Sequence, residues 1–495
     1  MTYIMRFTYL FALFAAGHVL VGRVSGANAP AMLQDEEFRI AEKRRAPVST
    51  QSPEVRLPSI REGRLPNGAT LLVLEDRRRS DISIRVLFPR GGAANDPPHL
   101  IGVSSLLAQM MLEGTSTYSP DDFAVELDRI GGWLGVDAVP GQREARLLAT
   151  SLSEHSEKAM RLVGDVLAHP AFPEEQLALV RERTQQRVLQ VLGNAAFSTE
   201  MLGRRVLFGV MDGRQSDSPA AVTRKDVLSA YRERFNPDGA IVGLAGDISF
   251  EQAKKGLEVY LRDWRNHEPV VVRAVTALPR TQGGGRVWVM DRPNSVQTTL
   301  AVVGPAVGPK RVKFPALAVL NRIVGGGPTS RLNAALRFNK GYTYGAYSTL
   351  GTSLDGPYWY ASSAVRNAVA QEALQILVDE VQRVRTEGVS PEEIEHAKQW
   401  LIGRHVVSLD NSEAVLVAEM EARQQQLNRD HAGTYVSRIG AVTPEDVRAA
   451  AQEFLAPDKL HVVAVGPIAT ARAAAGTRFG QVYECSPAGQ CPPSP

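Results

Sequence analysis

Apolar and polar positions fall into a regular pattern only from about residue 61 onward. RLPNGATLLVLED, from Arg64, places an Asn67-Gly68 turn ahead of an apolar run, which predicts strand, turn, strand. ISIRVLF, from Ile82, predicts another strand. In LIGVSSLLAQMMLEGT, Leu106, Leu107, Met110 and Met111 recur at helical spacing. Residues 27–60 have no such face: AEKRRAPVSTQSPEVRLP is polar and charged, and reads as a linker. Ahead of it, Arg6 precedes the apolar run Phe7 to Val21 and the small residues of VGRVSGANA, the order of a secretory signal peptide over residues 1–26, with cleavage before Ala27. A membrane anchor would need about 20 apolar residues, and this run of roughly 15 contains Gly17 and His18. Export with cleavage is the expectation, which puts the mature chain in the periplasm or outside the cell. No later segment is long or apolar enough to predict a membrane span.

The pattern also repeats. AVTRKDVLSAYRERFNPD begins at Ala221, and AVTPEDVRAAAQEFLAPD begins 220 positions later at Ala441. Each copy predicts a threonine-capped helix, a Pro-Asp turn and an apolar strand with an aligned glycine, Gly246 or Gly466. Upstream, Pro173-Glu174-Glu175 and Pro391-Glu392-Glu393 open two long helices 218 positions apart. A period this long, occurring twice, predicts duplicated domains rather than a solenoid, whose periods are about 20 to 50 residues. Strands and helices mix without strict βαβ alternation. The expected fold class is therefore α+β, with two duplicated domains, each an antiparallel-rich sheet covered by helices. The expected bounds are 61–277 and 286–471, joined by the turn-rich stretch LPRTQGGGRV and followed by a tail over 472–495.

Composition adds little to this and excludes some functions. The chain is 44% hydrophobic and 22% charged, and its formal charge of +3 gives no basic stripe for nucleic acid. Its two cysteines, Cys485 and Cys491, lie in the Pro-rich CSPAGQCPPSP. They suit a local staple in an oxidising compartment, or nothing, and not a thiol nucleophile. The nine histidines are scattered, and neither H-x-x-E-H, H-E-x-x-H nor G-x-S-x-G occurs. His396, in EEIEHAKQW, reads as part of a solvated helix face rather than as a ligand.

LPNGATLLVLED, a strand ending near Gly91-Gly92, GVSSLLAQMMLEGT, and GGGPTSRLNAALRFNKGYTYGAYS occur in this order. With the duplication, they resemble the pitrilysin/insulinase family of zinc metallopeptidases, in particular the mitochondrial processing peptidase and its bacterial two-domain relatives. The resemblance runs from about residue 60 to residue 470. In active members an H-x-x-E-H helix supplies two zinc ligands and a general base. With Gly102 and Gly114-Thr115 fixing the frame, those three positions fall on Ser105, Ala108 and Gln109. The family's spacing to its third ligand, a glutamate, lands on Gln185 or Gln186. Zinc sites use imidazole, thiolate and carboxylate. A hydroxyl and neutral amides compete poorly with water, and Ala108 can take no proton. No metal site and no catalytic residue are expected on this chain.

The resemblance further implies that Arg337 and Tyr344 form a substrate-gripping pair. LNAALRFNKG predicts a helix closing on Gly341, and YTYGAYS a strand with Tyr342 and Tyr344 on one face. The plainer alternative makes Arg337 a solvated helix residue and Tyr344 a packed aromatic. Gly325, Gly326 and Gly327 are a turn at least, and a loop whose N–H groups could touch peptide at most. The family includes two-chain peptidases in which one subunit holds zinc and the other supplies the Arg/Tyr pair. The first expectation is thus a non-catalytic, substrate-binding subunit working with a homologous zinc-bearing partner. The second is a peptide-binding scaffold with no such partner, and the third, least supported, is a self-sufficient peptidase with atypical ligands.

Overall fold

A computed structural model describes residues 56–97, 100, 102–138, 143–208, 221–265, 285–353, 356–428, 430–476, 479–486 and 491–492. The expected signal peptide, nearly all of the expected linker and the turn-rich stretch up to residue 284 lie outside the described residues.

The first half begins with the expected hairpin, β1 (Arg61–Arg64) and β2 (Thr70–Glu75), with Arg64 opposite Thr70 and Gly68 at φ 94° in the turn. β3 (Asp81–Phe88), α1 (Val103–Met110), α2 (Pro120–Arg129), β4 (Trp133–Asp137) and β5 (Ala145–Leu152) follow. Then come α3 (Ser156–Ala168), α4 (Glu174–Leu192), α5 (Ala195–Phe208), α6 (Arg224–Arg234), β6 (Ile241–Gly246) and α7 (Phe250–Tyr260). The sheet order is β1-β2-β6-β3-β5-β4, antiparallel except between β2 and β6.

The second half runs β7 (Val287–Asp291), β8 (Gln297–Pro305), α8 (Phe314–Val324) and α9 (Arg331–Asn333), which continues as a π-helical turn over Ala334–Asn339. β9 (Ala346–Ser353), β10 (Gly356–Arg366), α10 (Ala370–Thr386), α11 (Pro391–Ser408) and α12 (Ser412–Gln424) come next, then α13 (Tyr435–Gly440), α14 (Pro444–Phe454), β11 (His461–Gly466), α15 (Ile468–Ala475) and β12 (Val482–Cys485). Its sheet order is β12-β7-β11-β8-β10-β9. The five-strand order β2-β6-β3-β5-β4 thus recurs as β7-β11-β8-β10-β9, and the α+β fold with two duplicated domains is the observed architecture. Matching helices begin alike: Thr223 and Thr443 each form a capping box, with Asp226 and Asp446, at the starts of α6 and α14.

The sixth strand differs between the halves. In the first sheet it is β1, antiparallel to β2. In the second it is β12, drawn from the stretch expected as a tail, parallel to β7 and followed by the Cys485–Cys491 disulfide.

Both faces of the central strands are buried, which explains their nearly continuous apolar runs. Alternate residues enter different cores. Leu71 and Val73 of β2 face their own half's helices, whereas Leu72 and Leu74 pack with Val415, Leu416 and Met420 of α12. In the second sheet Val287 and Val289 face inward, while Trp288 and Met290 pack with Leu202, Val206 and Leu207 of α5. Each sheet is therefore covered on one face by a helix from the other half. Ion pairs join one of these contacts at its edges, Arg85 with Glu413 and Arg423 with Glu62. Removing one of the buried leucines at such a contact would cost about 2–5 kcal/mol.

Candidate functional site

α1 carries the three motif positions, and its start is fixed by charge. Gly102 caps the helix at φ 90°. The buried Asp96 carboxylate accepts from the Gly102 N–H at 2.8 Å, from Ser104 Oγ at 2.5 Å and from Arg234 Nη1 of α6 at 2.6 Å. α1 packs along α4, and this contact is where the motif positions meet.

Ser105 Oγ donates to the Ala138 carbonyl, just past β4, at 2.8 Å. Ala108 is buried. Gln109 Nε2 donates to Thr184 Oγ1 on α4 at 2.9 Å and to the Ser105 carbonyl at 3.2 Å, and Thr184 Oγ1 in turn donates to the Val180 carbonyl at 2.7 Å. Gln185, next along the chain, is half-buried, and Gln186 is exposed beside Glu182 and Arg187. Ser105 and Gln109, the first and third of the expected motif positions, and the α4 segment are thus brought together in a neutral hydrogen-bonded network. Glu113 of the following turn faces Arg183 at 3.5 Å, with burial raising its pKa against the pull of that arginine.

These residues do not fit a zinc ion. Ser105 and Gln109 spend their polar hydrogens on protein acceptors, and no imidazole, thiolate or carboxylate occupies the motif positions. Among the described residues no three His, Cys, Asp or Glu side chains gather closely enough to hold a metal.

The second half presents the Arg/Tyr segment. The helical stretch closes on Gly341, at φ 63°, whose N–H bonds the Arg337 carbonyl at 3.0 Å. Its last turn is π-helical, a geometry common at functional sites. Arg337 lies over the ring of the exposed Phe338, 5.2 Å from its centroid, with no ion pair among the described residues. The expected strand over YTYGAYS is corrected: β9 begins only at Ala346, so Tyr342 and Tyr344 do not share a strand face. Tyr342 donates to Glu372 Oε2 at 2.6 Å, which turns it back onto α10. Tyr344 is left 89% exposed. The Thr343 hydroxyl donates to the Gly345 and Ala364 carbonyls, and these bonds hold the connection irregular.

The three glycines form a packed turn at the end of α8. The N–H groups of Gly325 and Gly326 both reach the Asn321 carbonyl, at 3.0 and 2.8 Å. A Cβ at Gly325 would fall 2.4 Å from Ser348 N, and one at Gly327 would fall 2.6 Å from Arg322 Nη1. Thr184, Arg322 and its neighbour Trp400 were not singled out by sequence. A signal existed for Arg322, the one charged residue in the mostly apolar FPALAVLNRIV.

Two matched sheet-and-helix halves, with serine, alanine and glutamine at the expected motif positions, define a two-domain peptidase-like protein. Residues 71–207 match the model of the insulinase family, peptidase family M16, and residues 221–401 match that of the peptidase M16 inactive domain. The chain belongs to this pitrilysin/insulinase family. It is 25% identical over 442 residues to an uncharacterized zinc protease of Streptomyces coelicolor, covering 84% of this chain and 92% of that protein. It is 23% identical over 407 residues to another uncharacterized zinc protease, from Bacillus subtilis, covering 79% and 95%. Among solved structures, the fold is shared with a peptidase M16 inactive domain from Pseudomonas fluorescens (TM-score 0.73, 20% identity, 82% of this chain and 98% of that one). It is also shared with a protease from Helicobacter pylori (TM-score 0.75, 17% identity, 83% and 100%).

Proposed function

We propose that this chain is the non-catalytic, substrate-holding subunit of a zinc metallopeptidase, exported to the periplasm and paired with a homologous chain that carries an intact H-x-x-E-H helix and the zinc. The observation that supports this reading is the network of Ser105, Gln109 and Thr184, in which the residues at the expected ligand positions spend their polar hydrogens on protein acceptors. The exposed Tyr344 and the Arg337 side chain, which has no ion pair among the described residues, support it from the other half. A guanidinium can hold a peptide carbonyl or carboxylate, and a phenol can donate to a developing oxyanion.

The test is purification of the full chain alone and with its H-x-x-E-H homologue. Alone, it should carry no stoichiometric zinc by elemental analysis and cleave no peptide. Together, the two should co-purify and cleave. Tyr344→Phe should leave the pair assembled and lower turnover by about 10²–10³, the usual effect of losing one oxyanion donor. Zinc near one equivalent on the isolated chain, with activity, would overturn the reading. Failure to pair would leave a peptide-binding scaffold in its place.

A further inference from the structure

α8 packs on α11 as α1 packs on α4, but the second helix pair buries a charge. Arg322 of α8 is 8% exposed. Its Cζ lies 4.3 Å from the ring centroid of Trp400 on α11, and its Nη2 donates to Thr329 Oγ1 at 3.3 Å. Its Nε is buried with no hydrogen-bond partner, and no carboxylate pairs with it among the described residues. The other buried arginine discussed above, Arg234, has Asp96. Burial lowers the pKa of Arg322, and no acidic neighbour opposes that shift.

The glycine turn is shaped around this side chain. A Cβ at Gly327 would fall 2.6 Å from Nη1 and 2.8 Å from Cζ, whereas Gly326 closes on the helix backbone at Arg322 Cα. Thr329 is exposed and Trp400 is 41% exposed, so both partners of the Arg322 side chain reach solvent. A guanidinium removed from water without a counter-charge is costly unless a ligand supplies that charge, and its fork matches a carboxylate.

We propose that Arg322, Thr329 and Trp400 form a carboxylate-binding site for peptide. The guanidinium and the Thr329 hydroxyl take the carboxylate oxygens, and the exposed Trp400 surface packs the apolar part of the same ligand. This rests on the reading of the chain as a peptide holder, and it adds a second anchor beside Arg337 and Tyr344. The carboxylate is a peptide's C-terminus or an acidic side chain.

Calorimetry on the purified full chain tests it with one short, apolar-ended peptide in three forms: free acid, C-terminal amide, and amide with a glutamate at the last position. The free acid should bind at least ~10-fold tighter than the plain amide, as a charge-assisted bond requires, and Arg322→Gln should erase that difference. Tight binding of the glutamyl amide supports the site with a side chain as the source. Equal binding of free acid and plain amide by the unaltered chain overturns the site while leaving the peptide-holding reading intact. No binding of any form overturns both. The comparison of peptides on the unaltered chain needs no variant to fold, and Thr329→Val, at an exposed position, provides a second, milder probe.

Discussion

The helix pairs α1–α4 and α8–α11 are one structural unit built twice, and they differ in what they bury. In the first pair the helix start is held by the Asp96–Arg234 ion pair, and the contact itself is neutral: Ser105, Gln109 and Thr184 satisfy one another and the backbone. In the second pair α8 starts at Lys313 with no side-chain cap, and its far end carries Arg322 against Trp400 with no carboxylate partner among the described residues. Duplication has kept the packing and left the chemistry at the contact free to diverge. Neither contact has the donor set of a metal site. One has been closed by hydrogen bonds, and the other has been left with an unmatched positive charge.

The largest expected effect follows from that asymmetry of charge. Arg234→Ala would strand the Asp96 carboxylate, whose pKa burial already raises against the pull of Ser104 and Arg234. Breaking a buried pair in this way costs about 3–5 kcal/mol, to be read by urea unfolding of the full chain. Arg322→Gln removes a charge that has no ionic partner among the described residues, so it should cost well under half as much. Equal losses from the two changes would mean that Arg322 is a structural cation after all, and the contrast between the helix pairs would collapse.

The halves should also part company in acid. Among the described residues, the histidines whose pKa is lowered, His405, His431 and His461, all lie in the second half. His461, first residue of β11 and 2% exposed, is brought to about 4 by burial and, secondarily, by the charge of Arg286. In the unfolded chain it titrates near 6.5. Between about pH 6.5 and 4 the unfolded chain therefore binds a proton that the folded chain refuses, and stability falls as pH falls, by up to ~3 kcal/mol in all. Above that window the effect is absent, and below it no more is lost from this residue. Hydrogen exchange should show the second sheet loosening before the first as pH drops from 7 to 4. His461→Phe should flatten the slope without abolishing it, since His405 and His431 remain. Simultaneous loosening of both sheets would show that the swapped helices couple them too tightly for one half to open alone.

Much of this was legible in the sequence because the signals are local. The Asn67-Gly68 turn, the threonine caps of α6 and α14 and the repeat across 220 positions each rest on neighbouring residues. The expected motif positions fall on α1, whose N-terminal glycine also frames them in sequence. What was not legible depends on partners distant in sequence. TLLVLE and HVVAVG announce strands buried on both faces, but nothing in them says that the second cover is a helix from the other half. Tyr344 alternates with Tyr342 as a strand residue would, yet the bonds from Thr343 and the Tyr342–Glu372 contact hold that segment outside β9. Thr184 sits one residue from the expected ligand position, and only the packing of α4 on α1 selects it as the partner of Gln109.

The smallest effect is the one that most sharply separates an erased site from a hidden one. Ser105 stands where the family's first histidine would be, so a residual catalytic role would make Ser105→Ala costly in turnover. The geometry assigns it something else: its hydroxyl ties the first turn of α1 to the Ala138 carbonyl beyond β4 at 2.8 Å. Losing a bond of that kind typically costs about 0.5–1.5 kcal/mol, and the carbonyl left behind belongs to Ala138, only 2% exposed, which favours the upper end. The change should therefore shift the unfolding midpoint slightly, leave zinc content at the level of the unaltered chain, and leave peptide cleavage by the reconstituted pair unchanged. A loss of turnover without a loss of stability would mean that this helix still takes part in chemistry, and the neutral network on α1 and α4 would have to be read as a working site.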